Sequence, residues 1–272
     1  MRTKLITGLS QIHSKYDAFF IDLWGVVHNG IKLSPGVMDV LANLNKMNKR
    51  FVLMSNAPRP SLSVKKYLLN LKMDEIFLKN IFTSGEAALQ ILQRKIYGEK
   101  FYHLGPVRDN DLILEFKKNK TSLEKCDFIL CTGLFENHEN SLDYYKNLLR
   151  KNTNIKMVCT NPDLVVHRGS RSEYCAGSIA VIFEKLGGKV IYVGKPYPEI
   201  YNFCIKKNEN ILAIGDNIRT DIKGANNMKL DSLFIISGIH KDEFVNLQID
   251  DYDKVLNKYD AKTNYYQDRL IW

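Results

Sequence analysis

No apolar run in the 272 residues approaches the roughly 18–20 residues that a membrane-crossing helix needs, so the sequence predicts no transmembrane segment. Cysteine is scarce and unpatterned: Cys126, Cys131, Cys159, Cys175 and Cys204 are odd in number and never spaced as CxxC. That argues against a disulfide framework or a zinc site and fits reduced thiols in a cytoplasmic protein. The first sixteen residues, MRTKLITGLSQIHSKY, contain no acid, yet they also lack a signal peptide's apolar centre and small-residue cleavage site. They read as a short N-terminal helix leading into the first strand. A basic strip interleaved with aromatics is missing too. The formal charge of +9 is spread along the chain, which fits solvated charge or an anionic small molecule and gives no reason to expect nucleic acid.

What is present is ordinary globular composition, 45% hydrophobic and 25% charged, on a chain long enough for a large core and a smaller companion domain. Four segments share one design. Ala18–Ile21 ends at Asp22, Phe51–Met54 at Ser55-Asn56, Val190–Val193 at Gly194-Lys195, and Ile211–Ile214 at Gly215-Asp216. Each is a short continuous apolar run, the pattern of a strand covered on both faces in a parallel sheet. Helix-length amphipathic stretches lie among them: 37–48, 62–71, 199–207 and 220–228. The alternation predicts an α/β fold with a doubly wound parallel sheet. Such sheets bind ligands beyond the carboxyl ends of their strands, so the polar residues closing these runs are expected on one rim.

An acid, a hydroxyl, a lysine and a second acid on one rim suit phosphoryl chemistry. Asp22 can attack phosphorus as a carboxylate nucleophile, provided cations and donors balance the charge on the phosphoryl oxygens. Asp216 is a natural oxygen ligand for Mg2+. Ser55 offers a hydroxyl and Lys195 a fixed positive charge. Asp221, five residues after Asp216 in "GDNIRTD", falls in the first turn of the next helix; it either orients the metal's waters and Lys195 or serves as a favourable helix-terminal charge.

The ordered set Asp22, Ser55, Lys195 and Asp216-x4-Asp221 resembles the four motifs of the haloacid dehalogenase superfamily of phosphohydrolases. The gap between Ser55 and Lys195 exceeds what core crossovers need by about a hundred residues. That insertion resembles the class IIA subfamily with a large α/β cap, which contains the NagD-like phosphatases. "CTNPDLVVHRG" at 159–169 is similar to the subfamily's TNPD signature and "GKPYPEIY" at 194–201 to its lysine motif. The resemblance implies a Rossmann-like core over residues 1–85 and 189–272 with an inserted cap over 86–188, carrying strands at Phe101–Leu104, Phe128–Cys131 and Lys156–Cys159. It implies an Mg2+-dependent phosphomonoester hydrolase acting through an aspartyl-phosphate on a small phosphorylated metabolite of the sugar phosphate, nucleotide or pyridoxal phosphate type. No nucleic acid or membrane partner is expected, and a homodimer through the cap is left open.

In that resemblance Asp22, Ser55, Lys195 and Asp221 are catalytic. Asp22, the main-chain carbonyl of Trp24 and Asp216 hold the metal, and Asn56, Thr160, Asn161 and Lys195 face substrate, with Asp163, His167 and Arg168 as further cap candidates. The family's first motif reads D-x-D, its second aspartate being the general acid; here that place is Trp24. "DLWGVVH" is similar to a branch of the subfamily with DxWGV and a following histidine. Three readings stay open: a leaving group that needs little protonation, His28 as a substitute acid, or a phospho-ligand-binding or regulatory protein with little turnover. A receiver-like phosphoacceptor would share the aspartate, hydroxyl and lysine but leave the insertion unexplained.

Overall fold

The computed structural model describes residues 3–168 and 171–272. Its strands are β1 (Lys4–Leu5), β2 (Ala18–Asp22), β3 (Arg50–Ser55), β4 (Ile81–Thr83), β5 (Phe101–Leu104), β6 (Phe128–Cys131), β7 (Lys156–Cys159), β8 (Val165–Arg168), β9 (Arg171–Tyr174), β10 (Val190–Tyr192), β11 (Ile211–Gly215), β12 (Asp231–Ile235) and β13 (Tyr265–Gln267). The larger sheet runs β1-β13-β12-β11-β2-β3-β4 and is parallel throughout. Period-two alternation explains how it is covered. Phe19 and Ile21 join one core cluster with Leu53 and Ile214, while Ala18 and Phe20 join another with Val52 and Met54 on the opposite face. Burying each such large side chain contributes about 1.5–3 kcal/mol.

A second parallel sheet, β10-β7-β6-β5, is inserted between β4 and β11, with the antiparallel pair β8–β9 beside it. It too is covered on both faces. Ile129, Met157 and Cys159 pack with Ile179 and Phe183 of helix Ala176–Lys185; Phe128, Leu130 and Val158 pack with Ala88 and Leu92 of helix Ser84–Gln93. The molecule is therefore an α/β doubly wound core carrying an inserted α/β cap. Helix Ser84–Gln93 starts where Thr83 Oγ1 accepts the Glu86 N–H at 2.9 Å and donates to Arg59 O at 2.7 Å, which ties the first cap helix to the loop after β3.

Two expectations need correction. Val190–Tyr192 is not a core strand: it pairs with β7 in register Val190↔Met157 to Tyr192↔Cys159 and completes the cap sheet. A continuous apolar run is compatible with either sheet, and the pairing partner decides. The N-terminal segment is not an α-helix but the short edge strand β1 on β13, followed by 3-10 turns at Leu9–Gln11 and His13–Lys15. Gly8 there lies so close to Trp272 O that a Cβ would not fit, which pins the segment to the far end of the chain.

Candidate active site

Asp22 closes β2, and its carboxylate accepts a very short ion-pair hydrogen bond from Lys195 Nζ. Lys195 also donates to Asp221 Oδ1 at 2.7 Å, so one ammonium bridges two carboxylates, all three groups being buried. Desolvation alone would lower the lysine's pKa, but Asp22 and Asp221 outweigh it and hold the ammonium charged. Asp221 is fixed on its other side, accepting the Asn217 N–H on Oδ2 at 3.1 Å. Asp216, following β11, accepts Ile239 N–H on Oδ2 at 2.7 Å; burial and then the neighbouring Asp221 push its carboxyl up to about 7.

One oxygen from each of Asp22, Asp216 and Asp221 lies within 4.8 Å of the others. Three carboxylates against one ammonium leave an excess of buried negative charge, which a hard divalent cation with oxygen ligands would neutralise. The backbone keeps the space open. At Gly25 (φ +98°) and at Gly238 a Cβ would overlap the Asp216 carboxylate, and at Gly215 it would overlap Asp221. The sequence alone assigns these glycines no role in the site, because a lone glycine carries little signal.

Lys195 reaches the site from the cap side. The chain leaves β10 through Val193 and Gly194 (φ +138°), where a Cβ would stand 2.7 Å from Asn56 Oδ1. Asn56 then clamps the lysine's main chain, accepting Lys195 N–H on Oδ1 at 2.7 Å and donating from Nδ2 to Lys195 O at 3.0 Å. Asn56, expected to face substrate, does line the cavity, and both ends of its amide also position the lysine. Ser55 lines the cavity, its Oγ accepting Ala57 N–H at 3.1 Å.

The cavity over these residues holds about 470 Å³ and is lined by Asp22, Trp24, Ser55, Lys195, Asp216 and Asp221 from the core, with Asn161 and Asp163 among its cap residues. That is the size of a small-molecule site. Thr160 does not line it. Its side chain is fully buried and its hydroxyl donates to Cys131 O at 3.2 Å, because a polar residue at a strand end can satisfy a neighbouring carbonyl as easily as a ligand. Asn161 Oδ1 accepts Asp163 N–H at 3.1 Å, an Asx turn that aims Asp163 at the core. Asp163 lies 3.5 Å from Asn217 Nδ2, and burial pushes its carboxyl up to about 6.

Trp24 leans across the cavity wall. Its indole Nε1–H donates to His167 O of β8 at 2.8 Å, a direct bond from the first core loop to the cap hairpin. His28 packs edge-on to the Trp24 ring at 5.1 Å and to Tyr67 at 5.6 Å, and its Nδ1 accepts Gly30 N–H at 3.0 Å. A second core–cap tie joins Arg59, whose Nε and Nη2 both donate to Asp111 Oδ2 at 2.9 and 2.7 Å. The Arg168 side chain lies outside the described residues.

The profile of haloacid dehalogenase-like hydrolases matches residues 19–117, and a HAD-hydrolase-like profile matches residues 192–261, the two pieces that carry Asp22, Ser55, Lys195, Asp216 and Asp221. The chain belongs to the haloacid dehalogenase-like hydrolases. Within that family it is a NagD-like phosphatase of the capped class. It is 25% identical to the chloroplastic phosphoglycolate phosphatase 1A of Arabidopsis thaliana over 88% of this chain and 74% of that one. It is 26% identical to the ribonucleotide monophosphatase NagD of Escherichia coli K12 over 80% of this chain and 86% of that one. A haloacid dehalogenase-like hydrolase from Brucella suis 1330 superposes with a TM-score of 0.83 at 28% identity, covering 98% of this chain and all of that one.

Proposed function

We propose that the chain is an Mg2+-dependent phosphomonoester hydrolase that works through an aspartyl-phosphate on Asp22, acting on a small phosphorylated metabolite. The observation that carries this reading is the buried ammonium of Lys195 bridging Asp22 and Asp221 beside Asp216. Asp22, Asp216 and the Trp24 carbonyl would hold Mg2+, whose charge would offset that of the phosphoryl oxygens. Ser55 Oγ and Lys195 Nζ hold the phosphoryl group. Asp22 forms a P–O bond as the ester P–O bond breaks. Water then forms a new bond to phosphorus, the acyl-phosphate P–O bond breaks, and phosphate and the Asp22 carboxylate return. Asp221 and Asn56 aim Lys195 throughout.

Trp24 gives the leaving oxygen no proton, because an indole N–H is too weak an acid to transfer one, and its N–H donates to His167 O. It serves as a strut that holds the cap hairpin over the cavity. In this reading His28, which also lines the cavity, is committed to packing on Trp24 and Tyr67, so the leaving group departs with its own acidity and rates fall steeply as that acidity falls. In this reading residues 86–192 form the cap, the boundary shifted by β10, and the five free thiols fit a reducing, cytoplasmic setting.

The test is a series of aryl and alkyl phosphates at fixed Mg2+. Aryl esters should be hydrolysed with alkyl esters slower by roughly 10²–10⁴-fold, the usual worth of a general acid, and Asp22→Asn should abolish both. Comparable rates for the two classes refute the missing acid. Micromolar binding of a phosphate ester with no turnover of any would favour a phospho-ligand-binding protein on the same scaffold, the reading that Trp24 keeps alive.

A further inference from the structure

The cavity does not end at the phosphoryl site. Part of its cap wall is formed where β5 and β6 run out, and three buried polar side chains gather at or behind that wall. His103 of β5 places Nε2 2.9 Å from Oγ1 of Thr132, which follows β6. The Asp109 carboxyl lies near enough to the Thr132 hydroxyl for it to favour the charged form, and both Thr132 and Asp109 line the cavity. Asp109 is 3% exposed and Thr132 2%. The chain is built for: at Gly105 a Cβ would overlap Thr132 Oγ1 and stand 3.0 Å from His103 Nε2.

Burial pushes Asp109 up to about 7 and His103 down to about 4, so the imidazole is neutral. Arg108, exposed, and Arg59, tied to Asp111, oppose the shift on Asp109 only in part. A buried carboxyl that its neighbours do not neutralise needs hydrogen-bond donors, and the open side here is the substrate cavity.

We propose that Asp109, backed by Thr132 and His103, is a specificity subsite that accepts phosphate esters whose leaving group carries a hydroxyl donor and turns away those ending in a carboxylate. The proposal rests on the phosphatase reading and deepens it. His103 Nε2–H donates to Thr132 Oγ1, Thr132 O–H donates to one Asp109 oxygen, and the other oxygen accepts the substrate hydroxyl. Above about pH 7, where Asp109 is ionised, a carboxylate in that place meets like charge and offers no proton. A site built to pair a hydroxyl discriminates strongly against a ligand that leaves its polar groups unpaired.

The test compares kcat/KM of the full chain with Mg2+ above about pH 7, where Asp109 is ionised, for dihydroxyacetone phosphate and glycerol 3-phosphate against 2-phosphoglycolate. All three release alkyl oxygens, so leaving-group chemistry nearly cancels in the ratio. The hydroxylated esters should lead by about 10-fold or more. Asp109→Asn and Thr132→Val should each bring the ratio close to one, and Thr132→Ser should restore it, which a purely structural role would not do. A wild-type preference for 2-phosphoglycolate overturns the proposal, as does a ratio that neither variant moves. Should Asp109→Asn fail to fold, the Thr132 pair decides. Failure of the phosphatase reading shows separately, as wild-type protein that hydrolyses no p-nitrophenyl phosphate. Calorimetric Kd values for the same esters then give the ratio, and equal affinities refute the subsite.

Discussion

Replacing Gly238 by alanine isolates the geometry of the acidic cluster. This glycine does not have a positive φ, so alanine adds no backbone strain. Its Cβ would nevertheless stand closer than 3.0 Å to the Cβ, Cγ and Oδ2 atoms of Asp216. Ordinary contact begins near 3.4 Å, so the carboxylate must retreat by roughly an ångström in a close-packed surrounding. That displacement breaks the 2.7 Å bond from Ile239 N–H, costing about 1 kcal/mol, and overpacking adds roughly 1–3 kcal/mol. A misplacement of this size at reacting groups costs on the order of 100-fold in rate. Steady-state hydrolysis of p-nitrophenyl phosphate over an Mg2+ titration should therefore show about a 100-fold lower kcat/KM and a raised Mg2+ requirement, with the fold kept by circular dichroism. A folded variant within threefold of wild type at every Mg2+ concentration would refute the argument that Asp216 sits where the metal binds.

Three further outcomes are expected. Asn56→Ala removes both contacts on the Lys195 main chain and should lower kcat more than it raises KM, by about 10-fold or more, since roughly 1–3 kcal/mol of positioning is lost; an unchanged kcat would show that the lysine needs no clamp. Trp24→Phe keeps an aromatic ring but loses the bond to His167 O, worth about 0.5–1.5 kcal/mol, and should raise KM by roughly 2–10-fold and speed proteolysis of the cap hairpin, whereas unchanged values for both would remove its strut role. The Asp109 carboxyl is raised to about 7 by burial, so folding binds its proton more tightly than the unfolded chain does. The stability it contributes is complete below the unfolded pKa near 4 and is lost as pH rises through about 7. Urea unfolding without metal should accordingly show wild type losing on the order of 2–4 kcal/mol more than Asp109→Asn between pH 4 and pH 8, and parallel pH profiles would contradict the shift.

Much of the architecture was legible because short buried strands announce themselves. β5, β6 and β7 begin and end where their apolar runs do, and β2 does end on Asp22. The partner of a run is a different matter. Val190–Tyr192 reads like any buried strand, and only its register with β7 puts it in the cap. The polar ends Asp22, Ser55, Lys195, Asp216 and Asp221 share a cavity as their spacing suggested, while Thr160, of the same type at the same kind of position, turns to a carbonyl. Nothing in the sequence linked His103, Asp109 and Thr132. They come from different elements with no repeating interval, and parallel pairing of β5 with β6 brings them together. The aromatic tail over 264–272 supplies β13 and buries Leu270 against the core.

Because Lys195 stands two residues beyond the buried Val193 that ends the run of the last cap strand, the ammonium bridging Asp22 and Asp221 is tethered to the cap. Any displacement of the cap strand would pull on that tether, whose far end the Asn56 amide holds. Cap and charge cluster are thus coupled through a span of two or three residues, and any graft of a foreign cap onto this core would have to reproduce that short leash to bring its lysine to Asp22.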